Sequence, residues 1–156
     1  MLKHMLIPLD GSELAERAVD YAQQIMGPQT RITLLMAIDP PEIIPYGTYS
    51  GSPDGGLIES RIDFQALAED MRKQSEAYLA RIGSDLEKQG LNVSRKTEMG
   101  APVDVIIETA LDQQVDTIVM STHGRSGLTR WLLGSVTQKV LAAAPCPVYV
   151  IPPERS

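Results

Sequence analysis

Runs of nearly unbroken apolar residues at 5–9, 32–38, 117–121 and 147–151 narrow the folds open to this chain more than any other feature. Each is too short for a buried helix and too uniformly apolar for a strand with one wet face, so each reads as a strand covered on both sides. Helical spacing fills the intervals. After Ser12, a good N-cap, Leu14, Ala18, Ala22 and Ile25 recur at helical spacing, and Gly27-Pro28 stops the helix. Phe64, Leu67, Met71, Tyr78, Leu79, Ile82 and Leu86 mark the longest helix, ended by Gly90. Pro102 opens a third, with Ile106, Ile107, Ala110 and Leu111 as its buried face, and Val136, Val140 and Leu141 mark a fourth. The polar run 92–98 supplies the remaining strand and suits a sheet edge. Strands alternating with amphipathic helices predict an α/β fold, a single Rossmann-like domain over residues 1–156 with helices on both faces of an open five-stranded parallel sheet. Residues 39–62, rich in proline and glycine and carrying Tyr46 and Tyr49, read as a long loop, either a lid or a disordered insert.

Composition bounds the partners. A formal charge of -6 argues against nucleic acid or an anionic membrane as the main partner. No apolar run approaches the roughly 20 residues of a membrane span, and the first residues lack the ordered regions of a signal peptide, so the expected location is cytoplasmic. Cys146 is the one cysteine, which excludes an intramolecular disulfide and a cysteine-rich zinc site. Between Pro145 and Pro147 it reads as a small buried apolar residue.

Function is concentrated in two neighbouring turns. The run ending Val119-Met120-Ser121 leads into Thr122-His123-Gly124-Arg125, and Gly134-Ser135 opens the helix that contains Val136. Gly134 allows close approach of main chain to a bound group, and Ser135 as N-cap would leave the amides of Ser135, Val136 and Thr137 pointing outward, which makes an anion site. From 117 to 153 there is no Asp or Glu, while Arg125, Arg130 and Lys139 are positive. An acid-free stretch in an acidic chain fits a bound anion; packed strands and helix leaving no room for carboxylates is the plainer explanation.

If the strand order is 3-2-1-4-5, the first and fourth strands flank the switch point, and the turn Pro8-Leu9-Asp10-Gly11 faces the turn after Ser121. Asp10 would then accept from a sugar hydroxyl or base amine at the uncharged end of a ligand, or else serve as a turn residue. His123 either bonds ribose or phosphate or satisfies backbone groups in its turn. Trp131 reads as a loop anchor.

The chain resembles the universal stress protein family over essentially its whole length. The nucleotide-binding members carry Gly, two residues, Gly, nine residues, Gly, then Ser or Thr; here Gly124 and Gly134-Ser135 match, and Ser121 replaces the first glycine. Pro8-Leu9-Asp10-Gly11-Ser12 is similar to the family's first-strand segment, whose Asp contacts adenosine, and Ala37 matches a position lining the adenine pocket. The resemblance implies binding of ATP, or of AMP or ADP, in some members with Mg²⁺ or Mn²⁺, and a homodimer formed through the last strand. It further implies slow hydrolysis or autophosphorylation at most. The expected function is a nucleotide-dependent regulatory or stress-response dimer with unknown protein partners. A slow ATP hydrolase or phosphotransferase and an interaction module that never binds nucleotide are the alternatives. The chain lacks both the Gly-x4-Gly-Lys-Ser/Thr phosphate loop and the Gly-x-Gly-x-x-Gly fingerprint.

Overall fold

The computed structural model describes residues 2–39, 64–122 and 133–153. In chain order these form β1 (His4–Leu9), α1 (Glu13–Ile25), β2 (Arg31–Ile38), α2 (Phe64–Lys88), β3 (Asn92–Met99), α3 (Pro102–Asp112), β4 (Thr117–Ser121), α4 (Ser135–Ala143) and β5 (Val148–Ile151). The strands pair in parallel in the order β3-β2-β1-β4-β5. The predicted loop at 39–62, apart from Asp39, lies outside the described residues, as does Trp131.

Alternation along the strands divides the core in two. Met5, Ile7 and Leu9 of β1 pack with Ile32, Leu34 and Met36 of β2 against α1 and α2. Leu6, Leu35, Ile118 and Met120 point the other way and pack against α3 and α4. Full burial of side chains such as Leu6, Leu35 and Ile118 contributes about 1.5–3 kcal/mol each.

The helices keep their expected places with shifted faces. On α1 the buried residues are Ala15, Ala18, Val19 and Ala22, while Leu14 is half-buried and Ile25 is 40 % exposed. Alanines at the contact let the helix lie close to the sheet, and that closeness sets the centre of the buried stripe. On α3, Val105, Ile106, Thr109 and Ala110 are buried and Leu111 is 56 % exposed; on α4, Leu141 is exposed as well. Ser12 caps α1 as expected, its hydroxyl accepting from the Ala15 amide at 3.1 Å.

A polar network unforeseen in the sequence ties the amino ends of the strands. His4 is 5 % exposed, on the α3/α4 side of β1. Arg31 Nη2, which can only donate, lies 2.8 Å from His4 Nδ1. The Gln113 carbonyl lies 3.2 Å from the same Nδ1, Nε2 lies 2.8 Å from Thr33 Oγ1, and Thr33 donates to Gln113 Oε1 at 2.8 Å. Asp116 Oδ2 accepts from the amides of Lys3 and His4, at 2.7 and 2.8 Å. One chain of bonds thus joins β1, β2, the end of α3 and the approach to β4.

Burial, and secondarily the Arg31 charge, push the His4 pKa below its ordinary 6.5. The unfolded chain binds this proton more readily, so the stability His4 confers is complete above pH 6.5 and falls as pH descends through the folded value. Urea titrations at pH 7.5 and 5 are expected to show this loss, and His4→Gln to flatten it.

Candidate functional site

The crevice follows from where two central strands part. β1 pairs with β4 at Met5↔Thr117 and Leu6↔Ile118, whereas its pairing with β2 continues to Leu9↔Met36. Pro8 has no amide hydrogen, which is compatible with a strand that has already left one neighbour. The two chains leaving the sheet here turn to opposite faces, since α1 packs in one half of the core and α4 in the other.

At this point lies a cavity of about 670 Å³. Pro8, Leu9 and Asp10 line it from β1 and its turn, Ala37 from β2, and Met120, Ser121 and Val136 from β4 and α4. These candidates, separated by up to 128 positions in sequence (136 minus 8), share one space. His123, Gly124 and Arg125 lie outside the described residues.

Asp10 takes the turn role and lines the cavity. Its Oδ1 accepts from the Ser12 amide at 2.9 Å and the Ser12 hydroxyl at 2.6 Å, an Asx turn, while the residue also faces the cavity. Gly11 closes the turn at φ 84, a conformation that side chains with a Cβ rarely adopt.

The cap of α4 is corrected by the structure. Gly134, extended at φ -60 and ψ 156, is the N-cap, and Ser135 is the first helical residue. The cap falls one position early because the Gly134 amide is drawn to the Thr122 carbonyl at 2.7 Å, and the Gln138 amide closes the first turn on the Gly134 carbonyl at 2.9 Å. The amides of Ser135, Val136 and Thr137 are consequently the first-turn donors, without acceptors among the described residues. α1 and α3 carry acids in their first turns, Glu13 and Glu16 in one and Asp104 in the other, whereas α4 has none. The positive end of α4 is thus uncompensated by its own side chains. Val136 and Thr137 line the cavity, whereas the candidates Gly134 and Ser135, which precede them in the chain, are not among its lining residues.

Thr137 staples the rim to the sheet, its buried hydroxyl sharing one proton between the Ser121 and Thr122 carbonyls at 3.0 and 3.1 Å. Sequence reasoning gave Thr137 only an amide. Ser121, in place of the motif glycine, is the last residue of β4, paired with Ile151, and does not have a positive φ. A serine therefore costs nothing in backbone strain there. Cys146 is half-buried beside the α3/α4 core, and burial raises its thiol pKa, in line with an apolar packing role. The α2 residues Met71, Gln74, Ser75 and Tyr78 also line the cavity. Their helical period pointed to packing and concealed that contact.

A doubly wound parallel sheet open at its switch point is the class of protein that this fold and cavity define. The model of the universal stress protein family matches residues 1–152, and the chain belongs to that family. It is 32 % identical over 154 residues to universal stress protein MJ0577 of Methanocaldococcus jannaschii, covering 97 % of this chain and 95 % of that one. A Thermus aquaticus universal stress protein is 31 % identical, with coverage of 97 % and 99 %. The solved structure of MJ0577 superposes with a TM-score of 0.82 at 29 % identity, covering 100 % of this chain and 99 % of that one. A universal stress protein in complex with cAMP shares the fold at a TM-score of 0.66, 24 % identity and coverage of 96 % and 97 %.

Thr137→Val keeps the shape of the side chain and removes the shared proton. It is expected to lower unfolding free energy by about 1–3 kcal/mol in urea titrations, because two buried carbonyls lose a donor.

Proposed function

We propose that this chain binds ATP in the cavity and acts as a nucleotide-dependent regulatory dimer. The observation that carries the reading is a single space lined both by the first turn of α4, with its amide donors, and by the aspartate turn after β1. Phosphates would meet the amides of Ser135, Val136 and Thr137 at the α4 terminus, which favours negative charge. The adenosine end would lie along Pro8 and Leu9, with Asp10 accepting from a hydroxyl and Ala37 flanking the base. AMP and ADP would use the same nucleoside contacts with fewer phosphate bonds. Among the solved neighbours sharing this fold, one holds cAMP, and another, from Arabidopsis thaliana, holds AMP.

Among the described residues no group of three His, Cys, Asp or Glu is placed to hold a metal ion. A Mg²⁺ or Mn²⁺ would accordingly arrive on the phosphates. Phosphoryl transfer also requires a group that orients the attacking nucleophile, and Ser121, Val136 and Thr137 at the rim bring neither acid nor strong base. Turnover is expected below about one per second, slow against typical enzymes.

The dimer would form through β5. This edge strand pairs on one side with β4, and Tyr149 is 46 % exposed. Light scattering at micromolar concentration should give about twice the monomer mass of 17.0 kDa; a mass of one chain would remove the dimer.

Gly134→Val tests the nucleotide reading. The backbone at φ -60 and ψ 156 suits any residue, so the substitution fills the approach to the α4 amides at the cost of a poorer N-cap, which lowers the ligand-free midpoint and is read separately from the MgATP shift. With MgATP at about a hundredfold excess over Kd, the wild-type melting midpoint should rise by about 5–10 °C, and the variant's should stay where it is. A wild-type midpoint indifferent to MgATP would leave the interaction-module alternative.

A further inference from the structure

At the amino end of the sheet, His4 Nδ1 has two neighbours that make opposite demands on it. Arg31 Nη2, 2.8 Å away, can only donate, and the Gln113 main-chain carbonyl, 3.2 Å away, can only accept. An unprotonated nitrogen suits the first and a protonated one suits the second. Both bonds cannot form at once, so one proton decides which neighbour the ring holds.

The other ring nitrogen faces the same partner in either state. Thr33 spends its hydroxyl proton on Gln113 Oε1, which leaves its oxygen to accept from His4 Nε2 at 2.8 Å. Ser94 of β3 lies 2.8 Å from the same oxygen. The ring is therefore held at Nε2 while Nδ1 is the variable atom.

One of the two competitors is free to leave and the other is fixed. Arg31 is exposed, so water can replace the imidazole as its acceptor. Gln113 is tied down on both sides, its amide donating to the Thr109 carbonyl at 3.0 Å and its side chain accepting from Thr33. The Val115 amide closes the end of α3 on the Ala110 carbonyl at 3.1 Å.

The charges acting on the ring are Arg31 of β2, which opposes a second positive charge, and Asp116 ahead of β4, which favours it. Lys3, beside His4 on the chain, acts on Asp116. Asp112, next to Gln113 on α3, and Lys139 of α4 are exposed, Arg95 of β3 is paired with Glu87 of α2, and the Cys146 thiol ahead of β5 is kept protonated by burial.

We infer that His4 is a proton-driven switch: neutral, it accepts from Arg31 of β2; protonated, it donates to the Gln113 carbonyl at the end of α3 and releases Arg31 to solvent. The ring takes its proton from solvent at Nδ1, and repulsion between imidazolium and guanidinium drives the two apart. The bonds of Thr33 and Asp116 stay in place, so acid rewires this network before it dismantles it. The switch stands independently of the nucleotide reading.

NMR of the ¹³C,¹⁵N-labelled chain, titrated downward from pH 8, tests it. The chain has two histidines, so the imidazole signal lost in His4→Gln is that of His4. At pH 7.5 its ¹⁵N shifts should show Nε2 protonated and Nδ1 bare. On acidification Nδ1 should gain a proton, the Gln113 carbonyl ¹³C should move with the same midpoint, and the Arg31 guanidinium protons should exchange faster with water. Arg31→Ala, a change at an exposed side chain, should shift that midpoint upward. A proton already on Nδ1 at pH 7.5, a Gln113 carbonyl that ignores the titration, or a midpoint unmoved in Arg31→Ala would overturn the switch. A His4 that stays neutral until the chain unfolds would overturn it as well.

Discussion

The parting of β1 from β4 beyond Leu6 is the constraint on which the rest of the molecule depends. Were the ladder to continue, Pro8, Leu9 and Ser121 would be interior strand residues and the cavity would be closed by backbone. Because it stops, the last residues of both strands become walls. The opening stays in register because β1 remains bonded to β2 as far as Leu9↔Met36 while β4 remains bonded to β5 as far as Ser121↔Ile151. Each wall is therefore backed by a paired strand.

The two ends of the sheet divide the labour. At the amino ends, Arg31, His4, Thr33 and Gln113 form a satisfied polar chain that locks three elements in place. At the carboxyl ends polar groups are left with capacity, the first-turn amides of α4. Satisfied buried networks stiffen a structure, and unsatisfied groups around a space await a partner. Thr137 belongs to both kinds, since its hydroxyl is spent on the sheet while its amide faces outward.

Much of this was legible in the residues. The apolar runs marked the strands, and the assumed order 3-2-1-4-5, which the sheet has, puts the turn of Asp10 and the start of α4 on one cavity. Periodicity was less informative about depth. It put Leu111 on a buried face and counted Ile25 and Leu141 in the apolar stripes, yet all three are exposed, because helix rotation is set by how near small residues such as Ala15 and Ala22 come to the sheet. The His4 network was hidden because its partners lie 29 and 109 positions away and none has an unusual local pattern. Ser75 and Tyr78 were hidden by the opposite circumstance. A serine and a tyrosine on an amphipathic helix look like packing until the cavity beside them is seen. The one-residue error at the α4 cap arose from preferring the better capping side chain, when a tertiary bond from the Gly134 amide to Thr122 decides the matter.

The most direct measurement is a backbone amide NMR titration of the ¹⁵N-labelled protein with MgATP. The account predicts saturable shifts concentrated at Ser135, Val136, Thr137, Asp10 and Ala37, all following one binding curve. Saturable binding that leaves those amides in place while perturbing a different surface would contradict it.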